Sequence, residues 1–269
     1  MDDFAAFACL LDALRPWLGH VVIVGGWAHR LHRFHPLSHA PAYASIRTRD
    51  ADIAFSVTDL LTGDIAAAMK AAGFQEDFSG DHAPPITQYR LGADDQGFVA
   101  EFLALLYGSG LKRNGQPDAT VARAGVTAQK LRYVDVLLLR PWAVRLTKEL
   151  GVPAECPTDV RLANPVSFIA QKLLIQKYRK PDKKAQDALY IHDTLELFGG
   201  ELPALRALAQ DIRPALHDKT ARAIESLHRE QFGAITDVIR TAARIPQDRV
   251  VTPERMQAAC AYGLGEIFG

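Results

Sequence analysis

Residues 47–55 read RTRDADIAF. The stretch predicts a strand over 50–56 with two aspartates two positions apart. Successive side chains of a strand point to opposite faces, so Asp50 and Asp52 project together while Ala51, Ile53 and Phe55 project into a core. Two carboxylates so close raise each other's pKa unless a cation lies between them. Magnesium prefers oxygen ligands and usually keeps substrate phosphates in its shell. A pair of aspartates on a solvated strand edge would read the same way.

The segments on either side sharpen the choice. Upstream, VVIVGGWAHRLHR (21–33) predicts a buried strand over 21–25 that runs into Gly25-Gly26 and a helix over 27–35. Backbone amides at a helix start attract phosphate, and glycine lets the phosphate approach. A tight strand-to-helix turn alone would also use the two glycines. There is no G-x-G-x-x-G and no G-x-x-x-x-G-K-[ST], so neither a dinucleotide fold nor a P-loop is indicated. Downstream, GFVAEFLALLYG (97–108) is an apolar strand over 98–106 with one charge, Glu101. An ionised group buried in such a strand is costly without a partner. If this strand lies beside 50–56, Glu101 completes a triad of metal ligands; otherwise it marks a strand bend. Two metal ions held there would activate an attacking hydroxyl and steady a leaving pyrophosphate.

The chain has 269 residues and no net charge. Residues 1–125 hold ten Lys and Arg against fourteen Asp and Glu, a balance of −4, which leaves +4 for residues 126–269. An acidic half and a basic half suit a cation-bridged polyanion. Three distant cysteines (Cys9, Cys156, Cys260) form no disulfide framework and fit a reducing, cytoplasmic setting. No apolar run is long enough to span a membrane, and the acidic N-terminus is unlike a signal peptide.

The remaining elements predict an α+β chain. The first half holds helices over 2–18 and from a Thr58 or Asp59 cap to Ala72, with strands at 74–78 and 87–92. RYVDVLLL (132–139) and WAVRLT (142–147) read as a hairpin around Pro141, and DVRL (159–162) as a further strand. From Asn164-Pro165, a capped start, the chain reads as helical: 165–179, 183–198, 201–212, 214–243 with a break, and 253–267. The domain line is placed between residues 1–125 and 126–269.

In order and spacing, VGGWAHRLHR, RTRDADIAF and VAEFLALL resemble the minimal nucleotidyltransferases of the DNA polymerase β superfamily. The resemblance covers roughly residues 20–106. It implies a mixed sheet with helices followed by a mostly helical domain. It also implies Mg2+ on Asp50, Asp52 and Glu101, and nucleotide phosphates on Gly25 and Gly26. The stretch NPVSFIAQKLLIQKYRKPDKKAQDALYIHDTLELF (164–198) is similar to the abortive-infection type IV toxin nucleotidyltransferases. There Lys172 matches a nucleotide-contacting lysine and Asp187 a helix aspartate. The arginine that usually precedes this aspartate is Gln186 here, Lys183 and Lys184 stand near it, and Asp193 is a rival for its role. The resemblance also suggests tRNA ends or other RNA as acceptor, with protein side chains and small hydroxyl compounds left open, and an antitoxin partner.

Some residues have competing readings. Lys172 and Arg179 are seven positions apart and nearly share a helix face, with Phe168 one turn before Lys172; a snorkelling lysine would look the same. The basic run Lys177, Arg179, Lys180, Lys183, Lys184 suits triphosphate or RNA, or a solvated face. Arg47 and Arg49 flank the aspartates and suit either the triphosphate or local charge balance. His29, His32, His35 and His39 cluster, but no cysteine or spaced acid joins them, and a surface helix is the expected reading. The function expected is magnesium-dependent transfer of a nucleoside monophosphate from an NTP to an acceptor hydroxyl, with pyrophosphate released. The alternatives are a non-catalytic binding module on the same fold and a metal-dependent phosphohydrolase.

Overall fold

The computed structural model describes residues 2–56, 61–81, 83–92, 97–153 and 158–269. The chain divides into two compact units: residues 1–34 with 47–163, and residues 35–46 with 164–269. Residues 126–163 therefore belong to the first unit, and a short segment of the N-terminal half belongs to the second.

The first unit is a mixed sheet with helices. Its strands are β1 Val21–Val24, β2 Asp50–Phe55, β3 Gln75–Ser79, β4 Ile86–Leu91, β5 Phe98–Leu105, β6 Thr120–Arg123, β7 Val126–Leu131, β8 Trp142–Leu146 and β9 Thr158–Leu162. Its helices are α1 Asp3–Ala13, α2 Gly25–Leu31, α3 Ile65–Ala71 and the short α4 Val134–Leu137. The strands lie in the order β3-β4-β5-β2-β1-β9-β8, and β7 pairs with β5 and carries β6. The two strands with the acids, β2 and β5, run parallel as neighbours, with Asp52 opposite Glu101.

One face of the sheet forms the core. Ala51, Ile53 and Phe55, which alternate with the acids, are fully buried. Trp27, at the start of α2, stacks on Phe7 of α1 at 4.0 Å between ring centroids and meets Phe98 edge-on at 5.8 Å. Such aromatic pairs add to plain area burial. The tryptophan thus pins the helix that follows the diglycine. Asp64 caps α3, its side chain accepting from Ala67 N at 2.9 Å; the expected caps Thr58 and Asp59 lie outside the described residues.

One expectation is corrected, and one hairpin is added. Residues 132–139 do not form a strand. Tyr133 and Arg140 both have positive φ and bracket α4, and β8 instead pairs with β9, Trp142 opposite Leu162. A hairpin that the sequence reading did not resolve, β6–β7, turns through Ala124 (φ 44) and Gly125 (φ 80). Two successive positive φ values are what the tightest hairpin turns require.

The second unit is helical: α5 Pro165–Ile175, α6 Pro181–Leu197, α7 Leu202–Ile212, α8 Asp218–Phe232, α9 Asp237–Ala243 and α10 Pro253–Phe268. Asn164 caps α5, accepting from Ser167 N at 2.8 Å with Pro165 at the first position, as the sequence predicts. Among the described residues no helix is long and apolar enough to cross a membrane.

Candidate active site

The site in the first unit follows from strand register. Asp50 and Asp52 share a face of β2, and Glu101 shares it because Asp52 and Glu101 are directly opposed on parallel strands. On the next strand Gln88 is opposite Glu101, and on the one after that Asp77 is opposite Gln88. On the other flank Val24 is opposite Asp52. A single row, Asp77–Gln88–Glu101–Asp52–Val24, therefore crosses five strands on one face. Further along the strands this face is buried at Ala54 and Leu103, whereas Asp50 is exposed. The acids sit where the face opens.

Gly25 follows Val24 in the left-handed region (φ 62). A Cβ there would overlap the Asp52 carboxylate. The first glycine thus has two reasons to be glycine: its backbone angle, and the approach of Asp52. The diglycine turn and the Asp-x-Asp strand form one piece of structure.

Glu101 is half-buried, and burial pushes its carboxyl above the usual carboxylate range. The hydrogen bond donated by Gln88 Nε2 to Glu101 Oε1 opposes that rise, and the charge of Asp50 adds to it. An acid buried beside a like charge is one that a cation would stabilise. The three carboxylates share a face without closing on one point. Among the described residues, the group whose ligand atoms lie within 4.8 Å of one another is a different one, His192, Asp193 and Glu196 of the second unit.

That group has the donor atoms for a metal ion, but arginines already neutralise its carboxylates. Arg249 Nη2 donates to Asp193 Oδ1 at 2.5 Å and Arg255 Nη2 to Glu196 Oε1 at 2.7 Å. Tyr43 Oη donates to Glu196 Oε2 at 2.5 Å, and the Arg249 guanidinium lies 3.5 Å over the Tyr43 ring. The network ties residues 35–46 to α6.

Lys172 of α5 and Asp187 of α6 come together. Lys172 Nζ donates to Asp187 Oδ1 at 2.6 Å, and both side chains are buried. The ammonium lies 5.3 Å from the Phe168 ring centroid and 4.9 Å from that of Tyr190. Arg179 Nε donates to the other Asp187 oxygen at 3.1 Å. Lys172 is thus an enclosed half of an ion pair and not a snorkelling lysine. Asp193, the rival of Asp187, is taken by Arg249.

Arg47 is held by Asp3 of α1, its Nε and Nη2 donating at 2.9 and 3.1 Å. Those bonds depress the Asp3 carboxyl below its usual range, against the effect of burial. His29 and His32 are buried on α2 and its continuation, where a surface helix was expected. His32 Nε2 lies 2.8 Å from the Ala163 carbonyl oxygen. Gln88, Arg90 and Asp77 were not picked out from the sequence. Their signal is the alternation in ITQYRL (86–91), where Gln88 and Arg90 flank the buried Tyr89.

The sequence matches a nucleotidyltransferase family over residues 3–232, most of the chain, and the protein belongs to that family. It is a nucleotidyltransferase. Among solved structures it is similar to one from H. pylori described as a candidate nucleotidyltransferase, at 13% identity and a TM-score of 0.45, over 98% of this chain and 94% of that one. No curated protein matches it.

Proposed function

We propose that the enzyme transfers a nucleoside monophosphate from an NTP to an acceptor hydroxyl and releases pyrophosphate. One observation carries the reading. The register sets Asp50, Asp52 and Glu101 on one open face, with the Gly25 turn against Asp52. The donor set suits Mg2+: Asp52 and Glu101 face each other on neighbouring strands about 4.8 Å apart at the backbone, and Asp50 lies two residues along β2 on the same face. Bound there, magnesium would neutralise charge on the phosphates and on the leaving pyrophosphate.

The residues of the chain supply the rest. Gly25 makes room for the Asp52 carboxylate, and the backbone amides of the Gly25-Gly26 turn would hold the phosphates. Glu101, its proton affinity raised by burial, accepts the proton of the attacking hydroxyl. The acceptor oxygen bonds to the α-phosphorus as the bond to the pyrophosphate oxygen breaks. Positioning and charge neutralisation account for most of such an acceleration.

The resemblance to abortive-infection type IV toxins adds Lys172 and Asp187 to nucleotide binding, RNA or protein as acceptor, and an antitoxin partner, and Arg47 is added by its place beside the aspartates. Arg47 would meet the triphosphate through Nη1, which takes no part in its bonds to Asp3. Incubation of the enzyme with each α-labelled NTP, magnesium and either total RNA or total protein tests the reading. Label should move to one acceptor pool, and pyrophosphate should appear in equal amount. Hydrolysis of the NTP with no labelled acceptor in either pool would contradict it.

A further inference from the structure

The row of acids has two flanks, and they differ. On one side of Asp52 lie β1 and the Gly25 turn; on the other lie β5 with Glu101, then β4. In a phosphoryl displacement the attacking and leaving oxygens stand roughly in line on opposite sides of the phosphorus. With the phosphates on the Gly25 flank, the acceptor hydroxyl arrives over β5 and β4.

Arg90 stands on that flank. It is opposite Val99 of β5, and Val99 is opposite Asp50 of β2, so Arg90 and Asp50 share the open face. They are two strands apart, about 10 Å at the backbone. Arg90 Nε donates to Asp77 Oδ2 at 2.9 Å, and the side chain is 28% exposed. Its terminal nitrogens Nη1 and Nη2 have no partner among the described residues. Asp77 thus fixes the guanidinium by one edge and leaves the other edge of the fork free. A planar fork of this kind matches the two oxygens of a phosphate.

We propose that Arg90 binds a phosphate of the acceptor and that the acceptor is a nucleic acid strand, in which each reacting hydroxyl has a phosphodiester close by. The inference rests on the proposed nucleotidyl transfer and assigns its acceptor side. It gives Asp77 the task of aiming Arg90, and it separates two anion sites: Gly25 for the NTP, Arg90 for the acceptor.

Fluorescence anisotropy with an end-labelled single-stranded RNA tests it, alongside calorimetry with magnesium and NTP. Arg90→Gln should weaken RNA binding about tenfold, the loss of one charge-assisted contact, and lower the salt slope by about one. NTP affinity should stay at the parent value. Arg90→Lys, which keeps the charge without the fork, should fall between the two and serves in place of Arg90→Gln if that variant unfolds. Equal RNA affinity in parent and variants would overturn the inference, as would a parent that binds no RNA or that labels only protein. An equal loss of NTP and RNA affinity would place Arg90 on the nucleotide side instead and also overturn it. A parent with no affinity for magnesium–NTP would strike the transfer reading itself.

Discussion

Replacing Lys172 by methionine is the most informative single change in the helical unit. Methionine keeps an apolar stem between Phe168 and Tyr190 and removes the ammonium. Asp187 would then stay buried, at 4% side-chain exposure, without its 2.6 Å partner. Breaking a buried pair from one side costs about 3–5 kcal/mol. Arg179 lies 3.1 Å from the other oxygen, though from a side chain 39% exposed, and continues to offset the charge. Two cation–ring contacts of the buried ammonium are also lost. The expected loss is about 2–4 kcal/mol, measured by urea unfolding followed by circular dichroism. Lys172→Met with Asp187→Leu removes both charges and should recover much of that loss, giving a coupling of about 1–3 kcal/mol in a double-mutant cycle. A Lys172→Met loss below about 0.5 kcal/mol, typical of a surface change, would contradict a buried Lys172–Asp187 pair. The double variant also sorts the roles. Transfer that returns with stability makes the pair a scaffold; transfer still absent in a restored fold makes the pair part of nucleotide binding.

Two further outcomes follow from the first unit. Gly25→Ala puts a Cβ at φ 62 and into the Asp52 carboxylate; the backbone strain alone is about 1–2 kcal/mol, and calorimetry should show weakened magnesium–NTP binding. Asp3→Asn should destabilise the protein at neutral pH. The folded-state pKa of Asp3 is depressed, so its contribution is present above the unfolded value and is lost as pH falls through the folded one. The stability gap between variant and parent, followed by thermal unfolding, should therefore close below about pH 4; a gap that widens on acidification would contradict the Asp3–Arg47 pairing.

The site was legible where the chemistry follows strand periodicity. Asp50 and Asp52 in β-prone sequence must share a face, and a lone Glu101 in an apolar strand asks for a partner. That β5 runs parallel beside β2 in the register that opposes Glu101 to Asp52 was not legible, because pairing is set by contacts far apart in sequence. The same holds for Lys172. Its stacking on Phe168 is a local, one-turn relation, but Asp187 approaches from another helix and turns an apparent surface lysine into a buried one. Residues 132–147 were misread for a local reason. Val and Leu suggest strand, yet Tyr133 and Arg140 adopt positive φ without being glycine, and nothing in their type announces it. The Ala124-Gly125 turn lacks the Asn or Asp that usually marks such hairpins.

Asp50, Asp52 and Glu101 are proposed to act together on the phosphates of an NTP. Asp52→Asn tests this most directly, because the amide keeps the shape beside Gly25 and removes only the charge. In the labelled-NTP assay transfer and pyrophosphate release should fall by about a hundredfold or more, as for loss of one electrostatic stabiliser in a transition state, with the unfolding curve unchanged. Turnover at the parent rate in a folded Asp52→Asn enzyme would contradict that joint action.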